Sequence, residues 1–288
     1  MEQSSVRMIR QETFSLEVFI DPYNKRIRVD DTLGNHGDAL AFAYGLREEI
    51  QAEKMIVKAR AEEADFYLEN GFQAEGKIDG YFLGSDAYFM SKYYKSSRRT
   101  NPHWAEEDEV AEKVRRLERT GIDSSLEKPF RLVRFQPEDA PSLAELYKAV
   151  FQIYPVPMDD PQYIEKSMES GTLFFGVKYE GKIVSAASAE INSLYRNAEL
   201  TDCATLPDFR KHGLMKILIS KLEEELIRQG IFCAYSIARS LSYGMNAALH
   251  QHGYSYRGRL ANNCYIFDKL EDMNIWVKNL AMMPKFRH

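Results

Sequence analysis

The chain has 288 residues, 38 Lys and Arg against 43 Asp and Glu, and a formal charge of −5; its 44% hydrophobic and 28% charged residues are the balance of an ordinary globular protein. A chain this long buries about 75% of its extended surface without disulfide or metal staples, and stands where one domain commonly becomes two. No apolar run approaches the ~18 residues of a membrane span, MEQSSVRMIRQETF lacks the basic-then-apolar order of a secretory leader, and neither residues 1–130 (19 basic, 25 acidic) nor 131–288 (19 basic, 18 acidic) has a nucleic-acid binder's basic excess.

From the N-terminus, His36-Gly37 opens a helix ending near Ala52, followed by the strand-like block Ile56–Arg60. Gly71-Phe72 and Gly76-Lys77-Ile78 punctuate what comes next. Tyr81, Phe82, Tyr88, Phe89, Tyr93 and Tyr94 alternate as in two paired strands and suit a core or an inter-domain surface better than base stacking. Residues 96–129 are the least core-like stretch. Their middle, Glu106–Arg119, favours a helix with few apolar positions (Trp104, Val110, Val114 and Leu117), the pattern of a bridge between domains, stopped by Gly121, Ser124-Ser125 and Pro129.

Beyond the boundary, strands are expected at Phe130–Phe135, Leu173–Tyr179, Ile183–Asn192, Ala198–Leu206, Ile231–Ala238 and from Tyr254 onward. Helices follow Pro137, Asp160-Pro161, Gly213 and Ser242, with Leu214, Ile217, Leu218, Leu222 and Leu226 on one face of the third. This is a mixed α/β (α+β) layered sheet. Three blocks of the front half recur in order: His36-Gly37 with His212-Gly213, Ile56–Arg60 with Tyr235–Arg239, and Gly71…Gly76-Lys-Ile with Gly253…Gly258-Arg-Leu. The expected organisation is therefore an incomplete front copy (1–95), a polar helical linker (96–129), a complete domain (130–270) and a C-terminal tail (271–288).

Chemistry concentrates in Ala198-Glu-Leu-Thr-Asp-Cys-Ala-Thr-Leu-Pro-Asp-Phe-Arg-Lys-His-Gly-Leu-Met215. A strand ends at Pro207, and the loop 210–215 feeds a long helix. N–H groups and the positive dipole end at a helix start hold phosphates, Gly213 lets the backbone approach closely, and Arg210 and Lys211 add charge. Cys203, Cys233 and Cys264 are odd in number and far apart; they read as buried hydrophobes of a reducing, cytoplasmic compartment. His250 and His252 have no third ligand at useful spacing, so no metal is expected.

The run Thr205-Leu-Pro-Asp-Phe-Arg210-Lys-His-Gly213-Leu-Met215 resembles the V-x-P-x-[YF]-[RQ]-x-x-G-x-[GA] motif of the GNAT N-acetyltransferases, and the element order from Arg131 to Asp268 is similar to that family's whole fold. With Tyr154-Pro-Val-Pro157 and Ala238–Asn246, the full length is similar to the β-lysine N-acetyltransferases. The resemblance implies a GNAT-type sheet with a truncated GNAT-like front repeat, and acetyl-CoA as co-substrate. Its pyrophosphate would lie on Arg210, Lys211, His212, Gly213, Leu214 and Met215, and its pantetheine arm along Cys203, Ala204 and Thr205, with Ser242 as a further contact. Met215 departs from the usual Gly or Ala, and the front copy, with Asp31 and Gly34 at the motif's Pro and Arg positions, is expected to hold no cofactor.

By the same resemblance Glu199 would be the base, with Asp202 second and on the opposite strand face by simple alternation. The family's Tyr four residues before the Gly-aromatic pair is Leu249 here, leaving Tyr243 or His250 as substitutes for the leaving-group acid. For a zwitterionic diamine, Arg239 would take the carboxylate, with Tyr154 and Asp159 or Asp160 near an ammonium; the bland readings are an ion pair and a helix cap. The implied reaction is acetylation of a small diamino acid, β-lysine to N6-acetyl-β-lysine, with another amino acid, a polyamine, a protein amine, or a CoA-binding sensor without turnover as alternatives. Expected partners are a small-molecule amine, no nucleic acid and no membrane, with homodimerisation left open.

Overall fold

Alternation of apolar and polar residues, broken by Phe19, builds the first long strand: Phe14, Leu16, Val18 and Ile20 of β2 (Phe14–Asp21) point one way and are buried. A computed structural model describes residues 4–119, 126–151, 154–266 and 269–282; Gly121 and Ser124-Ser125, expected to stop the linker helix, lie outside them. Around β2, the front half runs β1 (Ser5–Arg10), β3 (Arg26–Gly34), α1 (His36–Glu49), β4 (Lys54–Arg60), α2 (Ala64–Glu69), β5 (Gln73–Phe82) and β6 (Ser85–Tyr93). Helix α3 (Trp104–Arg115) follows. The back half runs β7 (Phe130–Arg134), α4 (Ala140–Val150), α5 (Pro161–Glu169), β8 (Leu173–Tyr179), β9 (Lys182–Asn192), β10 (Asn197–Thr205), α6 (Leu214–Arg228), β11 (Cys233–Arg239), α7 (Tyr243–Gln251), β12 (Ser255–Ile266) and β13 (Lys269–Asn279).

The thirteen strands of the described residues form one sheet, in the order β1-β2-β3-β4-β6-β5-β12-β13-β11-β10-β9-β8-β7. With β7 set aside, the order is palindromic: β1-β2-β3-β4-β6-β5 matches β8-β9-β10-β11-β13-β12. Each half has one parallel pair, β3/β4 and β10/β11, crossed over by α1 and α6. The front copy, expected over residues 1–95 without front strands, does carry them, because tight turns fit β1 to β3 into residues 5–34. Among the described residues it has no counterparts of β7, α4 and α5. Residues 271–279, read from the sequence as the start of a tail, lie in β13 between β12 and β11; their burial (Met273, Ile275, Trp276 and Val277) marks them as core.

The halves meet where β5 and β12 pair through Gly76 and Gly258 alone. A Cβ on Gly258 would stand 2.2 Å from the Glu75 carbonyl oxygen, and one on Gly76 would stand 2.7 Å from that of Arg257, so the crossing demands glycine on both sides. The sheet curls about this point. Ile56, Ile78, Tyr81, Phe82 and Phe89 of the front half pack against Cys233, Tyr235, Leu260, Ile275 and Val277 of the back half in one cluster. Buried cations fix the curl: Arg26 donates to the Asn263 carbonyl (3.0 Å), Lys54 to that of Ala261 (2.8 Å) and Arg98 to that of Asn262 (2.9 Å).

Helices cover the outside of each half. Helix α6 buries Leu214, Ile217, Leu218, Leu222 and Leu226 against the back half, and α3 closes the same core through Val114. His250 of α7 hydrogen-bonds the Leu117 carbonyl at 3.0 Å, a packing role. No described helix is long and apolar enough to cross a membrane.

Candidate active site

The parallel pair β10/β11 stays in register only for Asn197–Cys233, Ala198–Ala234 and Glu199–Tyr235; both strands then run on apart, to Thr205 and Arg239. Among the described residues, the backbone groups facing into that fork have no strand partner, which lets a ligand with its own amides lie there as an extra strand. Below the fork, the exposed loop 210–213 turns into α6. Gly213 caps the helix in the left-handed region (φ +73°) and offers no capping side chain. Among the described residues, no main-chain bond outside helices and strands is donated by residues 211–215, and the helix ladder begins with Lys216 and Ile217 donating to Gly213. Five N–H groups with the helix dipole behind them form an anion seat. Met215 turns its side chain into the core under α6.

A β-bulge interrupts β10 against β9 between Thr201 and Ala204, with Asp202 at φ +49°. The extra residue reverses the expected alternation: Asp202 accepts a bond from Ser188 Oγ (2.6 Å), and Ser188 shares its face of β9 with Glu190, the register partner of Glu199. Glu190, Glu199 and Asp202 thus stand on one face, where simple alternation put Glu199 and Asp202 on opposite ones. Tyr154 donates to the other Asp202 oxygen (3.2 Å) and Tyr147 to its carbonyl (2.9 Å). Burial, with the charge of Glu199, pushes Asp202 up to about 6 despite those bonds. Solvent still reaches Glu190, yet enclosure by protein, then Glu199 and Asp202, push it up to about 8. Glu190 was missed in the sequence; its one signal is a lone carboxylate ending the apolar run Ile183–Ala189.

The front half faces these carboxylates. Arg28 of β3 binds Asp30 through Nε (2.6 Å) and Nη2 (3.0 Å), and Lys58 of β4 binds Asp30 (2.7 Å) and the Tyr81 hydroxyl (3.0 Å). Burial opposes the charge on Asp30, but Arg28 and Lys58 outweigh it and hold its pKa down at about 2. The Tyr81 ring that meets Lys58 lies 5.8 Å from the ring of Tyr235, the register partner of Glu199, so the charged faces of β3/β4 and β10/β11 come close together.

The copy keeps the architecture but not the openings. Strand β3 also bulges against β2, between Asp31 and Val29, and leaves β4 after Val29–Val57. There Arg60 crosses the fork, bonding Thr32 O (3.1 Å), Asp31 (3.0 Å) and the Tyr195 hydroxyl (3.1 Å), and the α1 start is capped by Asn35, which accepts from Asp38 N–H. Both elements of an anion-and-amide seat are filled by the protein itself.

Cys203, Ala204 and Thr205 line the β10 side of the fork; Cys203 Sγ donates to the Thr201 carbonyl (3.5 Å), and burial and Asp202 raise its pKa to about 12, the wrong direction for a thiolate. Arg239 is bound to buried Glu271 (2.9 Å). Asp159 is exposed, while Asp160 caps α5 by accepting from Gln162 N–H. Ser242 stands at the α7 cap and Tyr243 beside it, 45% exposed; Leu249 is wholly buried. Among the described residues no cluster of three or more His, Cys, Asp or Glu could hold a metal.

Residues 140–254 match the acetyltransferase (GNAT) family. The chain is 42% identical to N-acetyltransferase YodP of Bacillus subtilis over 90% of its own length and 94% of that protein's. It is 34% identical to the β-lysine N(6)-acetyltransferase of Methanococcus maripaludis (90% and 94%) and 38% identical to that of Methanosarcina mazei (79% and 91%).

Proposed function

The chain belongs to the acetyltransferase (GNAT) family and is an acetyl-CoA-dependent N-acetyltransferase; on that premise we propose that its acceptor is a small diamino acid, β-lysine, acetylated at its terminal amine. The observation that carries the reading is the row of acidic side chains beside the fork, Glu190, Glu199 and Asp202, facing a wall whose two cations, Arg28 and Lys58, already share Asp30; Glu190 adds its charge as pH rises through about 8. A cleft of this charge favours an acceptor with two ammonium groups, and Arg28 and Lys58 leave room for one carboxylate. Two β-lysine acetyltransferases are similar over nearly their whole lengths.

In this reading the N–H groups of 211–215, with Arg210 and Lys211, hold the pyrophosphate, and the fork holds the pantetheine arm. Acetyl-CoA supplies the thioester acyl group. Glu199 takes the proton that an amine of ordinary pKa about 10.4 must lose before it attacks. Glu190 beside it carries the proton onward to solvent. Tyr154, Tyr147 and Ser188 fix Asp202 and with it the bulge that aims the β10 carboxylates. Tyr243 remains the candidate for protonating the leaving thiolate. The setting is the cytoplasm, consistent with three free cysteines.

The test is thiol release from acetyl-CoA with β-lysine, α-lysine, spermidine and a lysine peptide. The expected result is the highest kcat/KM with β-lysine. A higher value for spermidine or the peptide overturns the acceptor assignment; acetyl-CoA binding without turnover on any amine favours a CoA sensor, for which buried Leu249 is the specific observation.

A further inference from the structure

The front half has closed both features that would hold a cofactor, yet it keeps a charged strand turned toward the catalytic carboxylates. The duplication gives this a definite geometry. Arg28 pairs with Ile56 in the β3/β4 register as Glu199 pairs with Tyr235 in β10/β11, and Ile56 matches Tyr235 in the repeat. Arg28 is therefore the copy's counterpart of Glu199, and the two strands are brought together where Tyr81, bonded by Lys58 at 3.0 Å, packs its ring 5.8 Å from that of Tyr235, the register partner of Glu199.

The Arg28 fork is held from behind. Asp30 takes Nε and one Nη2 hydrogen, and the guanidinium lies over the Phe19 ring at 5.2 Å. Its Nη1 donates to no described group, and the side chain remains 22% exposed. Lys58, the other cation of this wall, is 4% exposed with its ammonium bonded to Asp30 and Tyr81. The exposed donor of this wall is thus Nη1 of a planar, pre-oriented guanidinium, the group that recognises a carboxylate by paired hydrogen bonds.

We propose that Arg28 binds the acceptor's carboxylate, so that the half of the molecule without a cofactor seat selects amino-acid acceptors over plain diamines. The proposal rests on the diamino-acid reading above. The acceptor then bridges the halves, its carboxylate on β3 and its reacting amine at Glu199 on β10.

The experiment compares β-lysine with 1,4-diaminopentane, the same skeleton without the carboxylate, in the intact enzyme and in Arg28→Met and Arg28→Lys. Loss of charge-assisted bonds should raise KM for β-lysine roughly 10- to 100-fold in Arg28→Met, and by less in Arg28→Lys. KM for 1,4-diaminopentane and Kd for acetyl-CoA should stay within about 3-fold, the order of experimental and contextual scatter. A variant that binds acetyl-CoA normally and keeps the preference overturns the assignment. The intact enzyme gives an independent arm: 3-aminobutanoate should compete with β-lysine while its amide does not, and equal inhibition overturns the proposal without any variant. If the intact enzyme acetylates no amino acid, the diamino-acid reading fails and Arg28 has no carboxylate to bind. If it acetylates β-lysine but the variants keep their preference, only Arg28 is refuted.

Discussion

Gly213 offers a clean test of the anion seat, because its replacement is strained by backbone conformation alone. Its φ of +73° lies where a side chain is disfavoured, and a Cβ there would meet nothing within 4 Å. Gly213→Ala therefore costs about 1–2 kcal/mol from the left-handed conformation, with no clash to add. The molecule can absorb that cost in two ways. On the C-terminal side, Leu214 is 2% exposed and locked in the core, so the helix cannot turn. On the other side residues 210–212 are exposed and can swing, relieving the strain by moving N–H groups off the ligand. The expected outcome is a stability close to that of the parent and a Kd for acetyl-CoA raised roughly 5- to 30-fold, the same 1–2 kcal/mol read as binding. Gly213→Asn, which tolerates the left-handed region, should recover most of the affinity. Calorimetric titration with acetyl-CoA, beside urea unfolding of the free proteins, separates the two routes. A Kd and stability both equal to the parent's, or an Asn variant as weak as the Ala one, would refute the reasoning.

Three further outcomes are expected. Glu190, raised to about 8 by enclosure and by the charges of Glu199 and Asp202, becomes anionic as pH rises through that value. KM for a cationic acceptor should therefore fall across about pH 7–9 while the amine stays charged, and Glu190→Gln should flatten that limb; steady-state kinetics in overlapping buffers decide it. Each chain should bind one acetyl-CoA, because Arg60 and Asn35 occupy the second fork and helix start; a calorimetric stoichiometry of two contradicts this. Gly258→Ala should lower unfolding stability by roughly 2–5 kcal/mol, since its Cβ would lie 2.2 Å from a carbonyl oxygen at φ +140°; an unchanged urea midpoint removes the crossing from the fold's requirements.

Much of this layout was written locally. The loop before α6, the α6 stripe and the three recurring blocks are short-range patterns, and each element lies where periodicity and glycine spacing put it. What escaped reading depends on backbone torsions or long-range closure. No local pattern announces that Asp202 adopts φ +49°, and without the bulge, strand alternation turns its carboxylate away from Glu199. Residues 271–279 alternate charged and apolar side chains only loosely, because β13 is covered on both faces. The β1 to β3 meander was hidden by short turns and charged strand positions. Arg28, Asp30 and Lys58 read as ordinary solvated charges until the packing of the two halves brings β3 and β4 toward β10 and β11. The register of the repeat did hold the necessary signal, since it sets Arg28 opposite Glu199's own position.

The glycine crossing has a consequence for how the acceptor site behaves in solution. In an assembly of two separate chains, a wall donated by one to the cleft of the other would be lost on dilution, and activity would depend on protein concentration. Here Gly76 and Gly258 carry the sheet unbroken from one half to the other, so the wall is supplied at a fixed, intramolecular effective concentration. The specific activity of a single chain should accordingly hold constant down to the lowest concentration at which the protein stays folded.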